Sequence, residues 1–217
     1  MSLTFFSEMH TLFVMTDTDA PTTKRDAQRL ETRQRIYDAA LAEFKRSGMA
    51  DADVGAIVAE AGVARGTFYF HFPTKEHVLE EAEGDLVVRM AADLGKFTDA
   101  EPELWSVLEE IVRLVVASET RLGTRLFRDV LALHFSTTRP PGFAKSTDHP
   151  LVASLSEQIQ LAQKAGTAHP EADPDESALF FLLGVYSLLV TVHQSKAARG
   201  RILQGFVKST RRGLEAA

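Results

Sequence analysis

Residues 53–72 read DVGAIVAEAGVARGTFYFHF. In the first part, Val54, Ile57 and Val58 fall three and four apart and form one apolar face of a short helix. Ala61-Gly62-Val63 follows as a tight turn. Gly62 stands where a chain leaving a helix takes a left-handed backbone, which costs a residue without Cβ little. A second short helix, about Arg65 to Phe70, turns Phe68 and Phe72 inward at i, i+4 and leaves the polar tips of Arg65, Thr67, Tyr69 and His71 pointing elsewhere. Two helices at a steep angle, joined by a Gly-containing turn, have the geometry that lets the second enter a DNA major groove.

Upstream, Asp26 to Ser47 is expected to be a helix with Ile36, Ala40, Leu41 and Phe44 as its apolar stripe and Gly48 as its stop. Lys24, Arg25, Arg29, Arg33 and Arg35 lie before and along its first turns. Such a run is either a solvated helix face or an arm laid along a phosphate backbone, which needs mobile cations and no fixed geometry. Residues 1–23 read as a disordered or loosely docked extension, with Met15 as an alternative start. Leu3 to Met15 is apolar but has no basic flank or small-residue cleavage site, so it does not read as a signal peptide, and it is too short to span a bilayer.

Downstream, Pro73-Thr74-Lys75-Glu76 opens a long helix to about Lys96, with Thr74 as N-cap and Glu76 at the positive end of the dipole. Lys75 is an unfavourable charge there unless an anion such as phosphate sits on the helix end. Longer amphipathic helices follow over Glu103 to Ser118, Arg121 to Ser136, Pro150 to Ala165 and Arg201 to Leu214. The segment from Thr137 to His149, with Pro140-Pro141-Gly142, reads as a mobile loop. Pro174 to Ala197 is the most apolar element, with Asp175 and Glu176 at its start and Lys196 at its end. It is apolar on nearly all sides from Ala178 to Val192, so the expectation is a helix buried all round that also serves a subunit interface, since a membrane span would need a longer run.

At 217 residues, the chain is long enough to bury a core, and 45% apolar and 25% charged residues are ordinary for a soluble protein. With no cysteine, disulfides and thiolate metal sites are excluded, in keeping with a cytoplasmic setting. The net charge of −6 argues against wholesale binding to nucleic acid but leaves room for a local basic face. Lys24 to His77 carries nine Lys/Arg against eight Asp/Glu, whereas Val78 to Ala217 carries fifteen against nineteen, so the less acidic part holds the helix-turn-helix.

The stretch from Val54 to Leu79, VGAIVAEAGVARGTFYFHFPTKEHVL, resembles the DNA-binding region of the tetracycline-repressor (TetR) family of bacterial transcription regulators. Ala61-Gly62-Val63, Gly66-Thr67, Tyr69, His71-Phe72, Lys75-Glu76 and Leu79 carry it in register, and the likeness extends upstream to about Arg29. It implies an all-α fold: an extension over 1–23, a three-helix DNA-binding head over 24–73, and a larger helical ligand-binding and dimerisation domain over 74–217. Arg65 and Thr67 then become candidates for base edges, with Gly66 allowing close approach. Tyr69, His71 and Lys75 become phosphate contacts, with Lys24 and Arg25 as the arm. The sequence departs from the family at Ala52-Asp53, where a hydroxyl pair is common, at Ala56, where an acid is usual, and at Ala64, in place of a common Ser cap. An anion at residue 53 caps a helix but repels phosphate.

The resemblance also implies a homodimer on an inverted-repeat operator and a small apolar or aromatic ligand that releases it. Pocket candidates are Trp105, Phe127, Leu131, His134, Phe181 and Tyr186; interface candidates are Phe180, Gly184, Ser187, Leu203 and Phe206. Gly184 and Ser187 would let a partner helix approach closely. No cofactor is implied. An enzyme is the rival reading, but the chain has no HExxH, no Gly-rich phosphate loop and no G-x-S-x-G. A helical protein-interaction or ligand-binding module without DNA binding would explain the helices, but not the polar cluster at Arg65, Thr67, Tyr69, His71 and Lys75.

Overall fold

The computed structural model describes residues 23–135, 149–192 and 195–216. The expectations for the N-terminal extension with Met15 and for the Pro140-Pro141-Gly142 loop lie outside them. Among the described residues the fold is all-helical: α1 Lys24–Ser47, α2 Val54–Ala61, α3 Arg65–His71, α4 Lys75–Thr98, α5 Leu104–Leu122, α6 Thr124–Ala132, α7 Pro150–Lys164, α8 Pro174–Thr191 and α9 Lys196–Leu214. The only β-pairing there is an isolated bridge between Ala168 and Glu215.

The head is α1 to α3, closed underneath by the first turns of α4. Ile36, Ala40 and Phe44 of α1, Ile57 of α2, Phe68 and Phe72 of the α3 segment, and Val78 and Leu79 of α4 share one buried core. Each terminus is set locally. Gly48 ends α1 at φ 86°, and Gly62 ends α2 in the left-handed conformation at φ 64°, ψ 41°. Asp53 caps α2 by accepting from the Gly55 N–H at 2.7 Å. Ala64 gives α3 no side-chain cap, as its sequence requires. Thr74 occupies the cap position of α4, yet its hydroxyl turns to His77 Nδ1 at 3.0 Å and makes no cap bond.

In the body, α4 packs on α5, α6 and α7, while α8 lies against α6, α7 and α9. Gly123 at φ 79° splits off α6 from α5, which runs past the expected Ser118 to Leu122. Helix α8 stops at Thr191, short of the expected Ala197. Ser195 caps α9 by accepting from the Ala198 N–H, so Lys196 lies in the first turn of α9 and does not close the dipole of α8.

The expectation that α8 is buried on all sides is corrected. By length and composition Pro174–Thr191 is apolar enough to cross a membrane, and only 33% of that stretch is buried within the chain. Ala178, Phe181, Leu182, Val185, Tyr186 and Leu189 face the core. Phe180 is 65% exposed, and Leu179, Leu183, Ser187, Leu188 and Val190 are half-buried.

Candidate DNA-binding interface

Helix α3 stands on two aromatic rings. Phe68 and Phe72 are 0% and 1% exposed and lie 6.2 Å apart, and the Phe72 ring stacks 6.4 Å from Tyr37 of α1. At 3.6 residues per turn this anchoring turns Gly66 and Phe70 outward, while Tyr69 lies on the flank and Arg65 reaches solvent from the first position of the helix. All four are exposed, while Thr67 and His71 are half-buried. A Cβ at Gly66 would meet nothing within 4 Å, so that side of the helix presents bare backbone. The structure therefore gathers Arg65, Gly66, Thr67, Tyr69 and His71 on one short element whose hydrophobic support fixes its orientation.

His71 is held below its ordinary value, first by partial burial and then by Arg29 and Arg33. Both effects favour the neutral imidazole, which has a single N–H to donate. Lys24 and Arg25 lie exposed in the first turn of α1, where Thr23 accepts from the Asp26 N–H. Lys75 is more committed than its sequence context suggests. Its ammonium donates to the carbonyl oxygens of Ala50 and Ala52 at 2.9 and 3.1 Å, tying down the turn that leads into α2. That leaves one of its three protons for a phosphate.

Several structural residues of the head escape a reading of the sequence. Arg33 donates both ends of its guanidinium to Glu81 at 2.5 Å, and Tyr37 donates to Asp85 at 2.8 Å. Positions 33 and 37 on α1 thus match positions 81 and 85 on α4 as a ladder of i, i+4 pairs. Burial and then the bond to Asp85 push the Tyr37 phenol well above its ordinary range, so it stays a donor. Glu43 accepts from Arg46 and Ser47, and these two bonds hold its carboxyl below the usual range. From the body, Asp129 of α6 accepts from the Met49 N–H at 2.7 Å, and Arg125 donates to the Arg46 carbonyl. The signal for the ladder was present as matched i, i+4 spacing of two donors, Arg33 and Tyr37, and two carboxylates, Glu81 and Asp85. Asp129 and Arg125 gave none, because each is one more surface-type residue until the fold brings it to the end of α1.

The expected pocket residues do not all converge. Phe127 and Leu131 on α6 are buried, at 1% exposure each, as are Phe181 and Tyr186 on α8. Phe181 stacks on Phe206 of α9 at 5.6 Å, whereas Tyr186 meets the ring of His149 at 6.3 Å. Burial and then the nearby carboxylate of Glu83 push the Tyr186 phenol up, and Glu83 is itself only 4% exposed on α4. Trp105 lies apart, half-buried under the Arg211 guanidinium at 4.8 Å. The side chain of His134 falls outside the described structure.

Among the interface candidates, Phe180 and Ser187 have surface to offer. Leu203 does not, being 4% exposed inside its own chain. Gly184 is used otherwise than expected, since a Cβ there would lie 2.3 Å from Phe206 Cζ. The glycine makes room for Phe206 of the same chain, not for a partner helix.

A rigid two-helix unit that presents polar side chains and bare backbone on the outer face of its second helix defines a helix-turn-helix DNA-binding head. A family model described as "Bacterial regulatory proteins, tetR family" matches residues 36–82. The HTH-type transcriptional regulator SrpR of Pseudomonas putida is 49% identical over 57 residues, 26% of this chain and 27% of that protein. The first curated relatives are matched over only 26% to 42% of their length. Among solved structures, the TetR-family repressor FadR of Thermus thermophilus in complex with lauroyl-CoA superposes with a TM-score of 0.63 at 20% identity, over 83% of this chain and 91% of that one. RolR in complex with resorcinol gives 0.61 at 15% identity, over 88% and 90%. Those likenesses extend the shared fold across head and body. Residues 36–82 thus carry the DNA-binding domain of the tetR family of bacterial regulatory proteins, and the rest of the chain shares the fold of the solved TetR-family structures.

Proposed function

We propose that this chain is a homodimeric, cytoplasmic repressor that binds an inverted-repeat operator and leaves it when a small apolar or aromatic ligand enters the body. The N-terminal turn of α3 carries this reading: Arg65, exposed, beside the bare backbone of Gly66 and followed by Thr67. Arg65 suits the O6 and N7 acceptors of guanine, and Thr67 a thymine methyl or a polar base edge. Tyr69, His71, the last proton of Lys75, and the Lys24–Arg25 arm serve the phosphates on either side. Tight helix ends and a packed base hold the reading head in register.

Dimerisation is supported by the outward face of α8, where Phe180 is exposed and Leu183, Ser187 and Leu188 are only half-covered by the described residues. A second copy related by a two-fold axis would cover it and set two α3 helices toward successive major grooves, about 34 Å apart. Ligand gating is supported by the neighbours crystallised with lauroyl-CoA and resorcinol. Phe127, Leu131 and Tyr186 remain the candidate ligand contacts, and Glu83 of α4 lies near Tyr186. Two residues away on that helix, Glu81 holds Arg33 of the head. A ligand releases DNA only by binding the released arrangement more tightly.

Selection from random duplexes with the whole chain tests the reading: a palindromic consensus is expected, and its absence refutes sequence-specific binding by a dimer. Arg65→Ala should cost roughly 1–3 kcal/mol on that operator and relax preference at one position per half-site.

A further inference from the structure

Phe70 is 70% exposed, more than any other large apolar side chain described, and it sits on the recognition helix. At about 100° per residue it points opposite the midpoint of Phe68 and Phe72, the two rings that anchor α3. Core packing thus has no use for it. Above its ring, 5.6 Å from the centroid, lies the guanidinium carbon of Arg29 from α1.

Arg29 and Arg33 make an informative pair. Both stack on aromatic rings of the head, Arg33 over Phe72 at 4.4 Å. Arg33 gives its N–H groups to Glu81, so its charge is neutralised inside the head. No carboxylate among the described residues takes those of Arg29. A ring face holds a guanidinium through its flat surface and consumes none of its five in-plane donors. Arg29 is therefore oriented, exposed and undischarged. The N-terminal residues of a recognition helix reach the bases, so Phe70, one turn after Gly66, stands toward the wall of the groove, where sugars and phosphates lie.

We infer that Arg29 grips a backbone phosphate of the operator and that Phe70 is the positioning residue that holds its guanidinium there. This rests on the DNA-binding reading above. The ring places the cation, and the free N–H groups of Arg29 take the phosphate oxygens. The contact carries no base information, so it adds affinity equally to all sequences.

The test is a double-mutant cycle on the whole chain, read by fluorescence anisotropy on the selected operator and on an unrelated duplex across a salt series. Arg29→Ala is expected to weaken both duplexes by a similar factor and to lower the slope of log K against log salt by about one. Phe70→Leu keeps an apolar side chain and removes the ring face. It should weaken binding two- to fivefold when Arg29 is present, the size of an exposed cation–π contact, and change nothing when Arg29 is already Ala. Phe70→Trp should restore full affinity. Both side chains are exposed, so melting temperatures should stay within a few degrees of the unsubstituted chain. An unchanged salt slope for Arg29→Ala overturns the inference. So does a Phe70→Leu loss that persists without Arg29, since the ring would then touch DNA itself. In either case an unsubstituted chain that still selects its palindrome leaves the regulator reading intact. If the unsubstituted chain prefers no duplex, both fall.

Discussion

The ion pair between Arg199 of α9 and Glu119 of α5 gives the sharpest test of how the body is held together. Both side chains are nearly closed to solvent, at 8% and 9% exposure. Arg199 donates to Glu119 through both terminal nitrogens, Nη1 to Oε1 at 3.3 Å and Nη2 to Oε2. Thr124 adds a bond to Oε1 at 3.1 Å. Arg199→Met leaves a buried carboxylate with one hydroxyl for company. Breaking such a pair from one side costs about 3–5 kcal/mol, because the remaining charge is uncompensated. With a urea dependence of about 2 kcal/mol per molar, the midpoint should fall by roughly 2 M. Replacing both members, Glu119→Leu with Arg199→Met, removes the charge along with its partner and should return the midpoint close to the unsubstituted value.

The pH dependence has a defined sign. Arg199 first, opposed by burial, holds the Glu119 carboxyl below its ordinary value of 4.5. A carboxyl whose folded pKa is depressed stabilises the fold fully above the unfolded value. That contribution is lost as pH falls through the folded one. The unsubstituted chain should therefore lose stability below about pH 4.5 more steeply than Glu119→Gln. Urea titrations at fixed protein concentration measure both effects, concentration being held because dimerisation would contribute. A single variant within 1 kcal/mol of the parent, or a double variant as unstable as the single, refutes a pair that matters through its buried charge.

At the head–body junction, Asp129→Ala should cost about 1–3 kcal/mol by stranding the Met49 N–H, whereas Asp129→Asn keeps an acceptor and should cost far less; equal losses in thermal unfolding would mean that the hydrogen bond is not the cause. Lys75→Met should weaken binding to every duplex alike and speed amide exchange over 49–53, since two carbonyls lose their donor; unchanged exchange would show that the tie does not hold the turn. Gly184→Ala should destabilise by up to about 2 kcal/mol, the overpacking against Phe206 outweighing a helix-propensity gain of about 1 kcal/mol. In a Phe206→Ala background the same change should stabilise, and a loss there would refute the steric account.

How far the fold was legible in the sequence depends on the distance between cause and effect along the chain. Gly48 and Gly62, the Asp53 cap and the Phe68–Phe72 pair act within a few residues, and each stands where local physics puts it. The pairs that fix the tertiary arrangement join residues 48 to 80 positions apart: Arg33 to Glu81, Met49 to Asp129, Glu119 to Arg199. Taken singly, each is an ordinary helix charge or an ordinary N–H. Two errors in α8 have a different origin. An apolar helix reads as buried whether its cover comes from its own chain or from another, so periodicity could not separate the face of Phe181 and Tyr186 from that of Phe180. Likewise Gly184 signalled a close approach without saying which helix approaches, and α9 of the same chain fills the space.

The long-range pairs constrain how any signal can reach DNA. Arg33–Glu81 and Tyr37–Asp85 fasten α1 to α4 at two successive turns, and Val78 and Leu79 of α4 lie in the head core at 0% exposure. The head and α4 as far as Asp85 are thus one packed unit. A ligand-driven change that tilted α4 beneath a stationary head would have to break a bidentate ion pair and a phenol–carboxylate bond and open that core. Tilting α4 together with the head breaks neither pair. The cost of that motion falls at the other attachment, where α6 holds the end of α1 through Arg125 and Asp129, the helix that also carries Phe127 and Leu131. Glu81→Gln should therefore loosen DNA binding with or without ligand, because it softens the moving unit itself. Asp129→Ala should instead change the ligand concentration needed for release. Operator titrations at several ligand concentrations separate the two, and a Glu81→Gln variant that shifts only the ligand response would place the hinge within the head.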